Sequence, residues 1–121
     1  MDTNILLLDA PSGAGKTRYI KKLGANSTNT LTSEQLKEAI LQMSLRNISP
    51  EALAAQLDSI LFLENLEDLA GKENTQRCAA QLIRHMASRR KGQPLILTGI
   101  HLETRLPVFL KALGTYKPLH L

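Results

Sequence analysis

A chain of 121 residues with 43% hydrophobic residues can bury one core, so a single domain over residues 1–121 is expected. No apolar run approaches the roughly 20 residues of a membrane-spanning helix, and the N-terminus lacks the basic segment of a signal peptide. With one cysteine, an internal disulfide framework is excluded and a cytoplasmic location is expected, while a net charge of +4 permits an anionic ligand without requiring one.

Strand and helix patterns alternate along the chain. Strands are indicated by short apolar runs, and helices by apolar residues at helical spacing. In chain order we expect a strand at 4–8, a helix at 16–23, a strand at 29–31, helices at 33–46 and 50–57, a strand at 59–63, a helix at 74–90, a strand at 95–98, a helix from Pro107 to Gly114 and an edge strand at 118–121. This alternation predicts an α/β fold with a parallel sheet and right-handed crossovers.

Several helix ends carry local signals. Thr32 and Gln35 have the spacing of a capping box, in which each side chain bonds the backbone of the other residue. Ser49 and Pro50 have the residue types preferred at the N-cap and at the first helical position. Gly24 stands where a left-handed residue commonly ends a helix.

Residues 10–17, APSGAGKT, follow the first strand and open the first helix, which is the context of a P-loop. The glycines allow backbone N–H groups to point at phosphate oxygens, while Lys16 can reach the β- and γ-phosphates and Thr17 can ligate Mg²⁺. The pattern departs from the P-loop at Ala10, which replaces its first glycine, and a chance match in a strand-to-helix turn is the alternative. The predicted ligands of ATP or ADP are Pro11, Ser12, Gly13, Ala14, Gly15, Lys16 and Thr17.

Polar residues follow two later strands. Glu64 comes after an apolar run, and a P-loop domain needs a carboxylate at the end of a neighbouring strand to hold Mg²⁺, although Glu64 could simply begin a solvent loop. Asn65 stands where ATPases usually place the acid that orients water, and an amide cannot accept the proton. Thr98 could contact the γ-phosphate or water, or could equally bond a turn. Glu64, Asn65 and Thr98 are the candidate catalytic residues, and Thr17 and Glu64 the candidate metal ligands.

Residues 61–75, LFLENLEDLAGKENT, resemble the Walker B region of the bacterial replication initiator DnaA, in which an apolar strand is followed by two acids and then by LAGKE. Residues 95–98 and 102–106 are similar to that family's sensor-1 strand and to the segment after it. The resemblance covers about residues 4–109 and implies an AAA+ core, a P-loop NTPase with a three-layer α/β/α architecture. Hda and the helicase loaders are relatives of the same type.

The chain also departs from the DnaA pattern. Asn65 replaces an acid, and Pro107, Val108 and Phe109 stand where the family has the serine-arginine-phenylalanine that provides its arginine finger. Within residues 1–121 we find no match to the family's helical lid or to its helix-turn-helix domain, and we expect a core without them. These differences favour a reduced core with weak or no hydrolysis.

Two functions of different classes fit these residues. The first is an ATP- or ADP-binding, DnaA-like core with an accessory or regulatory role in DNA replication initiation. The second is a degenerate AAA+ interaction module that docks on a partner ATPase without needing nucleotide. A small P-loop kinase is a third interpretation, for which the sequence shows no lid arginines.

The densest basic stretch is Arg84, His85, Arg89, Arg90 and Lys91. It fits a solvated helix C-terminus, where cations suit the helix dipole, and alternatively a contact with nucleic acid or protein. Aromatic residues do not interleave with these charges, so a stacking platform for single strands is not indicated. We expect no sequence-specific DNA binding by this chain alone, no membrane contact, and a DnaA-type or other AAA+ protein as a partner.

Overall fold

The computed structural model describes residues 4–9, 15–90 and 92–119. Within them the strands are β1 (Ile5–Asp9), β2 (Thr30–Thr32), β3 (Phe62–Glu64), β4 (Leu95–Gly99) and β5 (Lys117–Leu119). The helices are α1 (Lys16–Lys22), α2 (Ser33–Arg46), α3 (Pro50–Gln56), α4 (Glu73–Ser88), α5 (Leu102–Arg105) and α6 (Pro107–Leu113). A 3-10 turn, Leu66–Leu69, lies between β3 and α4.

The strands form one parallel sheet in the order β2-β3-β4-β1-β5. All five residues of β4 are buried, because the strand has neighbouring strands on both sides and helices on both faces. β1 therefore lies between β4 and β5, and β4 separates it from β3. The predicted α/β fold with a parallel sheet is confirmed.

Alternate residues of the strands enter two separate cores. Leu7 and Leu97 belong to the larger core, which α2, α3, α4, α5 and α6 cover. Leu8 and Ile96 point to the other face of the sheet, where Ile20 of α1 packs on them. The result is the expected three-layer α/β/α arrangement, with α1 on one face of the sheet and the remaining helices on the other.

The predicted helix ends are present. The backbone N–H of Gln35 donates to the Thr32 hydroxyl at 3.3 Å, and the backbone N–H of Thr32 donates to the Gln35 side-chain oxygen at 2.9 Å. The Ser49 hydroxyl accepts the backbone N–H of Ala52 at 3.1 Å. Gly24 has a φ of 108°, in the left-handed region that a residue with a β-carbon disfavours.

The third strand is shorter than the sequence predicts and lies further along the chain. The backbone N–H of Ile60 still donates to the Leu57 carbonyl at 3.1 Å, because the chain is completing the turn after α3 at this point. The strand then begins at Phe62 and ends at Glu64, which pairs in register with Thr32 of β2. Glu64 is thus the last residue of β3 rather than the first residue of the following loop.

Two arginines of the basic stretch hold the turn before β3. Arg89 donates two hydrogen bonds to the Asp58 carboxylate, at 2.7 and 2.8 Å, and this guanidinium holds the pKa of Asp58 below its usual range. The stabilisation from this exposed pair is present above the carboxyl's unfolded pKa and is lost as the pH falls through the lowered value. Arg90 donates to the Ile60 carbonyl, and burial lowers the pKa of its guanidinium.

Removal of the capping box tests how much it contributes to α2. We expect Thr32→Ala to lower the free energy of unfolding by about 1 kcal/mol, because the backbone N–H of Gln35 loses its acceptor. Urea denaturation measures this difference. The matched control is Thr104→Ala, at an exposed position where no side-chain hydrogen bond is formed with a described residue, and its effect should stay within about 0.5 kcal/mol. Equal effects of the two substitutions would contradict the capping role.

Candidate functional site

The carboxyl ends of β1, β3 and β4 meet at one edge of the sheet, and α1 begins at the same edge. In open α/β sheets this edge is where ligands bind. The strand that carries Glu64 is not next to β1 but one strand further away, which corrects the expectation of an acid on a neighbouring strand. β4, with Thr98, fills the position between them.

The start of α1 is open to an anion. Gly15 has a φ of 81° and is exposed, and no side chain among the described residues caps the helix. Since the first turn contains no acidic residue, its free N–H groups and the helix dipole present uncompensated positive charge. Lys16, half-buried, and Thr17, exposed, are the first two residues of this helix.

The remaining predicted phosphate ligands, Pro11, Ser12, Gly13 and Ala14, lie outside the described residues, as does Ala10. The chain is described up to Asp9 before them and from Gly15 after them. The strand, the helix and the left-handed glycine that a P-loop requires thus stand on both sides of this segment.

Glu64 carries a carboxylate that is free to bind a cation. Its side chain is half-buried at the end of β3, and it forms no hydrogen bond or ion pair with any described residue. It borders a cavity of about 310 Å³ that Lys21, Ser27 and Thr30 also line. A half-buried carboxylate without a protein partner is costly unless a cation or water satisfies it.

Asn65 follows Glu64 in a left-handed conformation, with a φ of 62°. Asparagine tolerates this region better than most residues do. The backbone conformation is therefore by itself a reason for asparagine at this position. Its side chain is exposed, and its carbonyl accepts the backbone N–H of Asp68 at 3.1 Å to start the 3-10 turn. The exposed position leaves the side chain accessible from the edge of the sheet.

Thr98 uses its hydroxyl inside the sheet. It is 1% exposed, and the hydroxyl donates to the Leu63 carbonyl of β3 at 3.0 Å. This geometry agrees with the alternative that Thr98 has a structural role. Contact with a phosphate or with water remains a prediction for Thr98.

Two acidic residues that the sequence patterns do not indicate hold the loop after β4. The Asp9 carboxylate accepts the backbone N–H groups of Leu102 and Glu103, at 3.1 and 3.4 Å, and so caps α5. The Glu67 carboxylate accepts the backbone N–H of Ile100 at 3.1 Å. Asp9 immediately precedes the P-loop segment and Glu67 lies shortly after Glu64. These two side chains therefore connect the three loops at the functional edge.

The same loop depends on Gly99 at the end of β4. A β-carbon at this position would lie 2.4 Å from Cδ2 of Leu102, which is fully buried. Only glycine lets Leu102 pack this closely on the strand end.

An acid directly after an apolar run, as in Leu8-Asp9, is a sequence signal for a helix cap such as the one that Asp9 forms. Local spacing does not indicate which distant backbone N–H groups the carboxylate accepts.

The residues fit Mg²⁺ bound together with phosphates. Magnesium sites commonly use one or two protein oxygens, and phosphate and water supply the remaining ligands. The Thr17 hydroxyl and the Glu64 carboxylate are such oxygens. Among the described residues no group of three or more histidine, cysteine, aspartate or glutamate residues could hold a metal ion by itself.

A sequence model of the ATPase family associated with various cellular activities (AAA) matches residues 6–111. The match begins in β1 and extends through the P-loop segment, β3 and β4 into α6. No curated protein is significantly similar to the chain. None of the helices in the described ranges is long and apolar enough to cross a bilayer.

The cap formed by Asp9 can be tested by its removal. We expect Asp9→Ala to lower the free energy of unfolding by about 1–2 kcal/mol and to speed hydrogen exchange at the amides of Leu102 and Glu103, since both lose their acceptor. Denaturation and exchange measured by NMR provide the two readouts. Glu51→Ala, which removes an exposed carboxylate from the first turn of α3, is the control. Unchanged exchange at these two amides would refute the cap.

Proposed function

The chain belongs to the AAA family of ATPases, and from that premise we propose that it binds ATP or ADP with Mg²⁺ at the edge formed by β1, β3 and β4. The observation that carries the proposal is the first turn of α1, which follows a left-handed Gly15 and lies at the same edge as the Glu64 carboxylate; within the described residues neither has a side-chain partner. Positive and negative groups are thus available where a nucleotide phosphate and its metal require them.

Each residue has a distinct role in this proposal. Backbone N–H groups of residues 11–15 surround the phosphates, and the Lys16 ammonium binds the β- and γ-phosphates. The Thr17 hydroxyl and the Glu64 carboxylate hold Mg²⁺, which neutralises phosphate charge when bound. Asp9 and Glu67 act indirectly, since they fix the loops on either side.

Turnover should be slow for two reasons in this chain. Asn65 cannot accept a proton from an attacking water, and general-base help is typically worth about 10²–10⁴ in rate. Residues 107–109 provide no arginine to stabilise the transferring phosphoryl group, and such an arginine is worth about 10³–10⁵. We therefore infer a domain that binds nucleotide and hydrolyses it weakly by itself.

The resemblance of residues 61–75 to DnaA supports an accessory or regulatory role in DNA replication initiation, with a DnaA-type or other AAA+ protein as the partner. The segment includes Ala70, Gly71 and Lys72, which are exposed between the 3-10 turn and α4 and are accessible to another protein. Two residues of the basic stretch are engaged within the fold, since Arg89 is paired with Asp58 and Arg90 bonds the Ile60 carbonyl. We propose no sequence-specific DNA binding by this chain.

The second candidate is an interaction module that docks on a partner ATPase without nucleotide. Asn65, the Thr98 hydroxyl bonded to Leu63 and the absence of an arginine at 107–109 favour it, since none of them serves hydrolysis. Calorimetric titration with ATP, ADP and GTP, with and without Mg²⁺, discriminates the two candidates. Binding of ATP or ADP supports the first, and no heat with any nucleotide supports the second.

Replacement of Lys16 tests the nucleotide site directly. We expect Lys16→Ala to weaken Mg-ATP binding about 10- to 100-fold, because hydrogen bonds to charged groups contribute about 1.5–3 kcal/mol. Calorimetry measures the dissociation constant, and circular dichroism verifies the fold. Lys22→Ala, in the last turn of the same helix, is the matched control and should bind like the wild type. Equal affinity of Lys16→Ala and wild type would exclude the proposed site.

Single-turnover hydrolysis with excess Mg²⁺ tests the inferred slow reaction. The expected rate lies far below 1 s⁻¹, and Asn65→Asp should raise it only modestly because the arginine is still lacking. Aspartate also tolerates the left-handed backbone at this position, so the variant should fold. Lys16→Ala reports contaminating ATPase. A wild-type rate of about 1 s⁻¹ or more, typical of ordinary enzymes, would show that another residue supplies the base or the cation.

A further inference from the structure

Helix α2 carries an apolar strip that the fold leaves exposed. On the inner side of the helix Leu36 is buried, and Ile40 and Met43 pack against the larger core. Leu41 and Leu45 lie on the outer side, where residues four positions apart are neighbours, and they are 50% and 69% exposed. Single exposed leucines are ordinary on protein surfaces, but these two lie on successive turns and together form a continuous apolar surface, the α2 strip.

Charged residues of opposite sign lie at the two ends of the α2 strip. Glu38 precedes it and is exposed, and its carboxylate accepts the Gln42 amide at 3.1 Å but forms no ion pair with a described residue. Arg46 ends the helix, is also exposed and has no carboxylate partner in the described ranges. Because ion pairs within a helix join residues three or four positions apart, Glu38 and Arg46 do not neutralise each other.

This order of groups makes the surface of α2 complementary to its own antiparallel copy. Glu38, Leu41 and Leu45 have the three-and-four spacing of the contact line between coiled-coil helices. When a second α2 lies antiparallel on the first, Leu41 contacts Leu45 of the partner subunit. Glu38 then lies beside Arg46 of the partner subunit, so that both unpaired charges are satisfied at once. The two helix dipoles also run in opposite directions, which favours the same arrangement.

We propose that α2 forms the interface of a symmetric homodimer by packing antiparallel on α2 of a second copy. A two-fold axis between the two leucines makes the apolar contact and the ion pair each occur twice, as an isologous interface requires. An unrelated partner would have to carry the same groups in the reverse order, whereas a second copy carries them by symmetry. An anionic membrane or a nucleic acid would instead face the carboxylates of Glu34 and Glu38. Because one helix per protomer is a small interface, the dimer is weak and forms at high protein concentration.

Sedimentation equilibrium of the whole chain, over concentrations up to about 1 mM, tests the leucine contact. We expect the mass to rise with concentration from 13.3 kDa towards twice that value. Leu41→Gln/Leu45→Gln should raise the dissociation constant about tenfold or more, since the apolar strip is lost while glutamine preserves the helix. Leu23→Gln is the matched control, because Leu23 is 48% exposed at the end of α1, and it should dimerise like wild type. A wild type that stays monomeric, or a double variant that associates like wild type, would overturn the proposal.

Charge reversal tests the antiparallel arrangement. Glu38→Arg and Arg46→Glu each place like charges together twice in the dimer, so we expect each variant alone to associate about tenfold more weakly at low salt. An equimolar mixture of the two variants should regain wild-type association, because each copy then supplies the charge that its partner lacks. Glu103→Arg, at an exposed position of α5, changes the net charge as Glu38→Arg does and should associate like wild type.

Single charge variants that associate like wild type would refute the ion pair, and a mixture that does not recover would refute the antiparallel arrangement. Circular dichroism verifies that each variant folds. Lys16→Ala should dimerise like wild type, because the interface contains none of the residues proposed to bind nucleotide.

Discussion

The fold depends on a central strand that is buried along its whole length. β4 is buried at all five residues, between β1 and β3 and between two helical layers. Because unpaired polar groups are costly in such a position, charged side chains are confined to the strand ends. The single hydroxyl that β4 carries, on Thr98, bonds the neighbouring Leu63 carbonyl. For this reason the polar side chains of the candidate site lie at the ends of the strands, at one edge of the sheet.

The carboxylates at that edge divide into two kinds. Asp9 and Glu67 accept backbone N–H groups and are thereby fixed, whereas Glu64 has no partner among the described residues. The first kind holds the loops in place, and the second is available for a cation. Position along the sequence does not distinguish them, since each stands at the end of an apolar strand or shortly after it. Only the contacts made by the folded chain separate a structural acid from a candidate ligand.

Local features could be read from the sequence and distant ones could not. The capping box of Thr32 and Gln35, the helix start at Pro50 and the left-handed Gly24 each depend on residues within a few positions, and all are present. Lys16, Thr17 and Glu64 lie at one edge of the sheet, because the strands of a parallel sheet all end at the same edge. The sequence did not predict that β4 separates β1 from β3, or that Asp9 caps α5, since these pairings join parts of the chain that no local pattern relates.

The position of β1 in the sheet has a consequence for biosynthesis. Ile5 pairs with Leu95 and Leu6 with Lys117, so the strand that is made first finds its partners about 90 and 110 residues later. At cellular translation rates the delay is on the order of 10 s, much longer than hydrophobic collapse takes. During this interval β1 lacks both of the strands with which it pairs. The register of β1 can therefore be set only after β4 and β5 have both left the ribosome.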